Sequence, residues 1–203
     1  MVTAYRITFD EEYQTIEKAN ESEAVGLALA VFERPLEPIA NRWRTSEYQI
    51  LYPGRKRGDV FNAYSGNFAC SRSVLERIRP CVEEDCEILP ITIRGLDDDD
   101  YVLIHPITVI EAIPPRDPNR SSKEMARQLI ANMVAPPYRR SAFDRCCIFR
   151  DPQQSTLSIC VSGFPNPDTD FYIQYMQNGF TGLEFKKVWK HEYSHKGILS
   201  SHK

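Results

Sequence analysis

The chain has 203 residues, 42% of them hydrophobic and 26% charged, which is typical of a folded protein with one large or two small hydrophobic cores. Its formal net charge of −3 excludes the strongly basic composition of many nucleic-acid-binding proteins. The longest apolar run is too short for a membrane span and no secretory signal pattern is present, so we expect a cytoplasmic protein that binds neither nucleic acid nor membrane.

The first predicted elements are two strands with one helix between them. Alternating apolar and polar residues predict strands over residues 5–9 and 47–52. An apolar run over 24–32 follows a capping serine, Ser22, and predicts a short helix. A basic loop that ends in glycine, residues 55–58, follows the second strand.

The next part of the chain has the clearest local pattern. Residues 67–70 predict a short strand that leads directly into a helix. Ser73 and Glu76 have the spacing of a capping box, and we expect Pro80 to end the helix that they open.

A β-hairpin is predicted after this helix. The apolar runs 88–93 and 101–110 are separated by an acidic turn, which is typical of two paired strands. Each run contains a proline, Pro90 or Pro106, that lacks a backbone N–H. We therefore expect both prolines at a sheet edge or at a bulge.

A loop rich in proline and arginine, residues 114–122, separates the hairpin from a second predicted helix. Ser121 and Glu124 form its capping box, and Pro136-Pro137 ends it. One face of this helix is apolar and consists of Met125, Leu129, Ile130 and Met133.

The last unit is predicted to contain two strands, a helix and a closing strand. The strands cover residues 145–149 and 156–161, and either Asp168 or Asp170 caps the helix. This helix carries Phe171, Tyr172, Tyr175 and Met176. Asn178-Gly179 ends it, and the closing strand begins at residues 183–185.

Two runs in the chain share the order strand, serine, helix, strand. The pattern predicts an α+β protein with helices packed on a mixed or mainly antiparallel sheet, built around two strand-helix-strand units. We expect an N-terminal segment (1–60) packed on the main body, an α+β domain (61–189) and a polar basic tail (190–203).

The six cysteines indicate buried, reduced thiols rather than a disulfide framework. They are few for this length, and two of them, Cys146 and Cys147, are adjacent. A zinc site formed by these two with Cys81 and Cys86 lacks the two-residue spacing of a zinc knuckle. We therefore expect no metal or other cofactor.

The tail contains a possible catalytic motif. His191, Glu192 and His195 match the HExxH pattern, in which two imidazoles bind zinc from one helix face. Only eight residues follow His195, which leaves little room for a third ligand, and the segment before the motif reads as a strand. We also expect His105 to be a core or edge histidine rather than a general base, and we predict no catalytic residue.

Several segments resemble a bacterial immunity-protein family of the myxobacterial type, long catalogued as a domain of unknown function. They are FACSRSVLERIRP, YVLIHPITVIEAI, CIFR, ICVSGF and FYIQYMQNGFTGLEF. The most specific match is the closing phrase over 179–188, which follows the family pattern G-L-x-G-L-x-F-x-x-V with Phe180 in place of leucine. The resemblance covers residues 48–189 and is weakest over 114–138.

The resemblance implies a non-catalytic protein that binds and neutralises a toxin encoded nearby, inside the producing cell or its kin. We expect neutralisation by occlusion of the toxin's active site. The alternatives are a zinc-dependent hydrolase that uses the HExxH motif and a structural or regulatory interaction domain.

An acidic region is the predicted docking face for this toxin. It contains Glu83, Glu84, Asp85, Asp97, Asp98, Asp99 and Asp100. Such a run is common on solvated loops, but it also suits a basic partner such as a nuclease, because opposite charges speed association. A basic stretch follows between Arg116 and Arg145.

Overall fold

A computed structural model describes residues 1–19, 36–63, 65–96, 100–114 and 121–191, apart from the side chain of Met133. The described residues form two β-sheets and three α-helices, so the predicted α+β class is confirmed. The helix predicted over 24–32 lies outside the described residues.

The first sheet has four antiparallel strands: β1 (Val2–Phe9), β8 (Cys147–Phe149), β9 (Ser158–Ser162) and β10 (Leu183–His191). Their order is β10-β1-β9-β8, so the first and last strands of the chain are neighbours. A bulge between Ala4 and Tyr5 shifts the register of β1 against β10. Successive residues of a strand face opposite sides of the sheet, so Ala4 and Tyr5 contact different hydrophobic clusters.

The second sheet has six strands: β2 (Ile16–Lys18), β3 (Ser46–Ile50), β4 (Val60–Asn62), β5 (Phe68–Ser71), β6 (Cys86–Ile93) and β7 (Tyr101–Pro106). The order is β2-β3-β6-β7-β5-β4, and only β3 and β6 pair in parallel. The predicted hairpin is present as β6 and β7. Residues 1–60 contribute strands to both sheets.

Both hairpin prolines lie in the two central strands of the sheet, at positions where the strand is paired on one side only. Pairing of β6 with β3 begins at Ile91, one residue after Pro90. Pairing of β7 with β5 ends at Ile104, two residues before Pro106. The missing N–H groups therefore interrupt no ladder on these edges.

The three described helices are α1 (Arg72–Val82), α2 (Ser122–Val134) and α3 (Phe171–Gln177). Two details predicted for α1 are wrong. Its cap is Ser71, which accepts a hydrogen bond from the Val74 N–H, and not Ser73. Pro80 lies inside the helix, because burial of Cys81 and Val82 in the core holds its last turn.

The capping predictions for the other two helices are confirmed. Ser121 and Glu124 form the capping box of α2, and the helix ends just before Pro136-Pro137. Asp170, the second of the two candidates, caps α3 through the Ile173 N–H. Gly179 follows α3 with φ +67°, as expected of a helix stop.

The main hydrophobic core joins both sheets to α1 and α3. It includes side chains from one face of each sheet and apolar residues of the two helices, among them Ile7, Phe68, Leu75, Ile148 and Phe171. Two smaller clusters cover the opposite sheet faces. Alternate residues of β5, β7, β8 and β9 point to opposite faces of their sheet, and a hydrophobic cluster covers each face. These strands are therefore buried throughout.

The closing phrase of the chain has a clear structural role. Gly182, with φ +107°, packs against the Val60 carbonyl, and the Val60 N–H donates to the Thr181 carbonyl. Leu183 is buried in the main core, and its backbone N–H donates a hydrogen bond to the Tyr175 hydroxyl oxygen. The phrase thus ends α3, binds the start of β4 and begins β10, which runs to His191, two residues beyond the predicted boundary at 189.

Candidate functional site

Asp85, one of the predicted docking residues, is buried and joins the two sheets. The residue is only 1% exposed, and its side chain accepts hydrogen bonds from the Arg145 guanidinium, the Thr108 hydroxyl and the Ile148 N–H. The two oxygens meet Arg145 as a fork at 2.6 and 3.1 Å, and this hydrogen bonding raises the pKa of Arg145 above its ordinary value. Asp85 therefore serves the fold, and a docking partner has no access to it.

The exposed residues of the acidic region that the structure describes lie at different ends of α1. Glu83 and Glu84 are exposed just after its C-terminal end, and Glu84 lies 3.7 Å from Arg145. Asp100 accepts from the Arg72 N–H at the opposite end, about 16 Å away along an eleven-residue helix. Asp97, Asp98 and Asp99 lie outside the described residues. Among the described members, the acidic residues form no single patch.

The HExxH motif begins on a strand. His191 is the last residue of β10, pairs with Val2 and stacks on Trp189 with 5.9 Å between the ring centroids. A helix would be needed to bring two histidines four residues apart to one zinc ion. Glu192 and His195 lie outside the described residues. Within the described ranges, no group of three or more His, Cys, Asp or Glu side chains could hold a metal ion.

All six cysteines are buried free thiols, as predicted. Burial raises the pKa of Cys70, Cys81 and Cys146 to about 12. A thiol with such a pKa is protonated at neutral pH and is a poor nucleophile. These cysteines pack the core and do not form a reactive site.

A buried polar cluster surrounds His105. The side-chain oxygen of Asn67 lies 2.9 Å from His105 Nδ1 and accepts a hydrogen bond from Arg150 Nη2 at 2.7 Å. Burial, with a smaller contribution from Arg150, lowers the pKa of His105 to about 4. Burial also lowers the pKa of Arg150 to about 10. His105 is thus a neutral core histidine, as expected from its strand.

The contribution of His105 to folding stability is expected to fall by about 3 kcal/mol as the pH decreases from 6.5 to 4, because unfolded His105 binds a proton in this window and folded His105 does not. Stability from this residue is complete above pH 6.5. Urea unfolding at four pH values measures the slope. The free energy of unfolding of His105→Asn should approach that of the parent protein as the pH falls. If the difference between the two stays constant with pH, His105 does not have a lowered pKa.

The exposed face of α2 is the strongest candidate for partner binding. Ile130 is 64% exposed, Val134 is 73% exposed and Leu129 is 38% exposed. Lys123, Arg127, Ile130 and Val134 follow spacings of four, three and four residues, so they share one helix face. We call these four residues the α2 stripe.

The opposite face of α2 points toward the body of the protein. Met125 and Gln128 are half-buried and Asn132 is buried, again at helical spacing. The Asn132 carbonyl accepts a hydrogen bond from Gln154 Nε2 at 2.7 Å. The helix is therefore anchored through largely polar positions, while two of its predicted apolar-face residues, Leu129 and Ile130, are exposed to solvent.

The α2 stripe was not identified from the sequence as a binding surface. Helical periodicity indicates which residues share a face, but it does not indicate which face meets the body. One feature of the sequence does indicate an exposed face: Lys123 and Arg127 lie on the same helix face as Ile130 and Val134. A core-facing stripe seldom contains two cations in its first two turns.

Comparison of the chain with protein-family models gives no match, and a search of curated proteins gives no related sequence. None of the described helices is long and apolar enough to cross a membrane.

Proposed function

We propose that this protein is a non-catalytic, cytoplasmic immunity protein that binds a cognate toxin encoded nearby and blocks the toxin's active site. The resemblance over residues 48–189 supports the family assignment. The observation that carries the binding function is the α2 stripe, in which exposed Ile130 and Val134 continue a basic surface. Exposed apolar side chains beside charges are typical of protein interaction surfaces.

The apolar half of the stripe can supply substantial binding energy. Complete burial of an isoleucine or valine side chain contributes about 1.5–3 kcal/mol. Ile130 and Val134 are mostly exposed, so a partner that covers both gains several kcal/mol. That energy corresponds to roughly a 100-fold change in the dissociation constant.

The charged half of the stripe indicates the chemistry of the partner surface. Lys123 lies two turns and Arg127 one turn before Ile130 on the same face. A toxin surface that fits has an apolar groove bordered by carboxylates. Attraction between the opposite charges speeds association, which an immunity protein needs in order to act before the toxin does.

We keep the acidic residues as a second proposed contact with the toxin, but only those that are exposed to a partner. Glu83, Glu84 and Asp100 are exposed, whereas Asp85 is buried. These residues suit a basic toxin such as a nuclease, so the two surfaces require opposite charges on the partner. Binding measurements on matched variants distinguish them.

We also propose that the two strand-helix-strand runs are related units. Pairing supports this interpretation: β5 and β6 flank the antiparallel strand β7, and β9 and β10 flank the antiparallel strand β1 in the same way. In each case a helix connects the two flanking strands. The additional helix, α2, belongs to neither unit and is available for binding.

Substitution of the stripe is expected to weaken toxin binding by about 100-fold and to abolish protection, because the apolar contact is lost. The partner for the experiment is the product of the adjacent gene, and the variant is Ile130→Gln/Val134→Gln. Isothermal titration measures affinity, and survival of cells that express both proteins measures protection. Since both residues are exposed, thermal stability should change little.

Met176→Gln is the matched control, since Met176 is also exposed at 57% but lies on α3. It should bind like the parent protein. If Glu83→Lys/Glu84→Lys abolishes binding while the stripe variant does not, the partner docks at the acidic end of α1. If the adjacent gene product does not bind and the protein self-associates instead, the immunity function is wrong and an interaction domain is favoured.

A further inference from the structure

A cavity of about 440 Å³ lies where the end of β1 meets the loop after β3 and the turn between β4 and β5. Its lining includes Phe9, Glu11, Thr15, Tyr52, Arg55 and Asn62. This volume is within the range of small-molecule sites, and it is separate from α1 and α2. The cavity plays no part in the proposed toxin binding.

A cation is held at this cavity by a tight turn. The Arg55 N–H donates to the Tyr52 carbonyl at 3.0 Å, so Pro53-Gly54 reverses the chain between them. The guanidinium carbon then lies 4.1 Å from the centre of the Tyr52 ring, which fixes the side chain by a cation–π contact. The Nη1 atom of Arg55 is buried and has no hydrogen-bond partner.

Thr15 provides a second polar atom of the same kind. Thr15 is only 5% exposed, lines the cavity, and its Oγ1 atom is buried without a hydrogen-bond partner. Its backbone is held firmly, because its carbonyl accepts from the Leu51 N–H and the residue forms a bridge with Asn62. Buried polar atoms are nearly always satisfied, so these two atoms call for an oxygen-bearing group at the cavity, which a ligand or ordered water can supply.

An anion lines the cavity together with the cation. Glu11 is exposed and contributes to the wall, and within the described part of the chain no ion pair joins Glu11 to Arg55. A purely anionic ligand would be repelled by Glu11. A ligand with both charges satisfies both side chains.

The rim of the cavity is aromatic and exposed. Phe9 is 40% exposed and Tyr52 is 45% exposed, and both line the cavity. Such rings favour an apolar or aromatic ligand body, since burial of their faces stabilises the complex.

We propose that this cavity binds a small zwitterion of the α-amino-acid class with an apolar side chain. Arg55 binds the carboxylate through Nη1, and the Thr15 hydroxyl donates to the same carboxylate. Glu11 accepts hydrogen bonds from the ammonium group. Phe9 and Tyr52 pack against the apolar side chain.

The probe is L-phenylalanine, with binding measured by titration calorimetry on the full chain. N-acetyl-L-phenylalanine lacks the ammonium charge and L-phenylalaninamide lacks the carboxylate, so each should bind at least tenfold more weakly. Glycine, which lacks the apolar group, should also bind more weakly. Absence of L-phenylalanine binding at millimolar concentration, or equal affinity for all four compounds, overturns the proposal.

The variants assign the charges. Arg55→Gln should weaken L-phenylalanine binding at least tenfold, and Glu11→Gln should do the same without changing the affinity for the N-acetyl compound. Arg44→Gln and Glu83→Gln are matched controls, because both parent residues are exposed away from the cavity. Thermal unfolding checks that each variant is folded. Loss of binding in Arg55→Gln alone would indicate an anion site and contradict the zwitterion.

Discussion

Asp85→Ala is expected to lower the free energy of unfolding by about 3–5 kcal/mol. Arg145 is 45% exposed and can return to water, so its lost partner is a small part of the cost. The larger part comes from the Ile148 N–H and the Thr108 hydroxyl. Both donate to Asp85, and the alanine cannot accept either bond.

This loss should affect both sheets, because Asp85 connects them. Its backbone carbonyl accepts from the Ile107 and Thr108 N–H groups after β7, while its side chain holds β8 at Ile148. Urea unfolding followed by circular dichroism measures the change.

Glu84→Ala is the matched control for Asp85→Ala. Glu84 is adjacent in sequence and also lies near Arg145, but its side chain is 74% exposed and the pair is separated by 3.7 Å. Its removal should cost less than about 1 kcal/mol. If Asp85→Ala and Glu84→Ala have similar small effects, Asp85 does not hold the sheets together. Any binding defect of an Asp85 variant must first be tested against its loss of stability.

Gly182→Ala is expected to destabilise the protein by about 4 kcal/mol. The backbone φ of +107° is accessible mainly to glycine, and a Cβ atom would lie 1.9 Å from the Val60 carbonyl oxygen. The closing phrase would then have to separate from β4. Thermal unfolding monitored by calorimetry measures the shift in the midpoint.

Two other glycines distinguish the two causes of this effect, which are the positive φ and the close contact with Val60. At Gly54 an added Cβ meets nothing within 4 Å and φ is not in the left-handed region, so Gly54→Ala should be nearly neutral. Gly95 has φ +81° but open space around it, so Gly95→Ala should cost about 1–2 kcal/mol. If Gly182→Ala matches Gly95→Ala, the contact with Val60 contributes nothing.

The acidic region illustrates how far charge patterns can be interpreted. The sequence places seven acidic residues near one another in the chain, but among those that the structure describes, α1 separates Glu83 and Glu84 from Asp100, and Asp85 is buried. Asp85 becomes a core residue because the chain folds Arg145, Thr108 and Ile148 around it, and these lie 23 to 63 residues away. No local pattern reports such long-range hydrogen bonds.

The two helices with capping boxes show a similar limit. For α2 the box at Ser121 and Glu124 was correct, because those residues satisfy each other locally. For α1 the box at Ser73 and Glu76 was wrong: Ser71 forms the cap, and Glu76 bonds to Arg79 instead. Glu76 is exposed, so packing does not hold it in the capping position, and it pairs with Arg79 instead.

By itself, the sequence determined the elements of this protein whose signals are local. Period-two alternation marked the strands, and proline, glycine and capping residues marked most of the ends. The tertiary structure alone decided which surfaces are free. Pairing of β1 with β10 joins the two ends of the described chain, and packing leaves Ile130 and Val134 in solvent while it buries Asp85. The physical reason is that burial depends on contacts between residues far apart in the chain, whereas propensity depends only on neighbours.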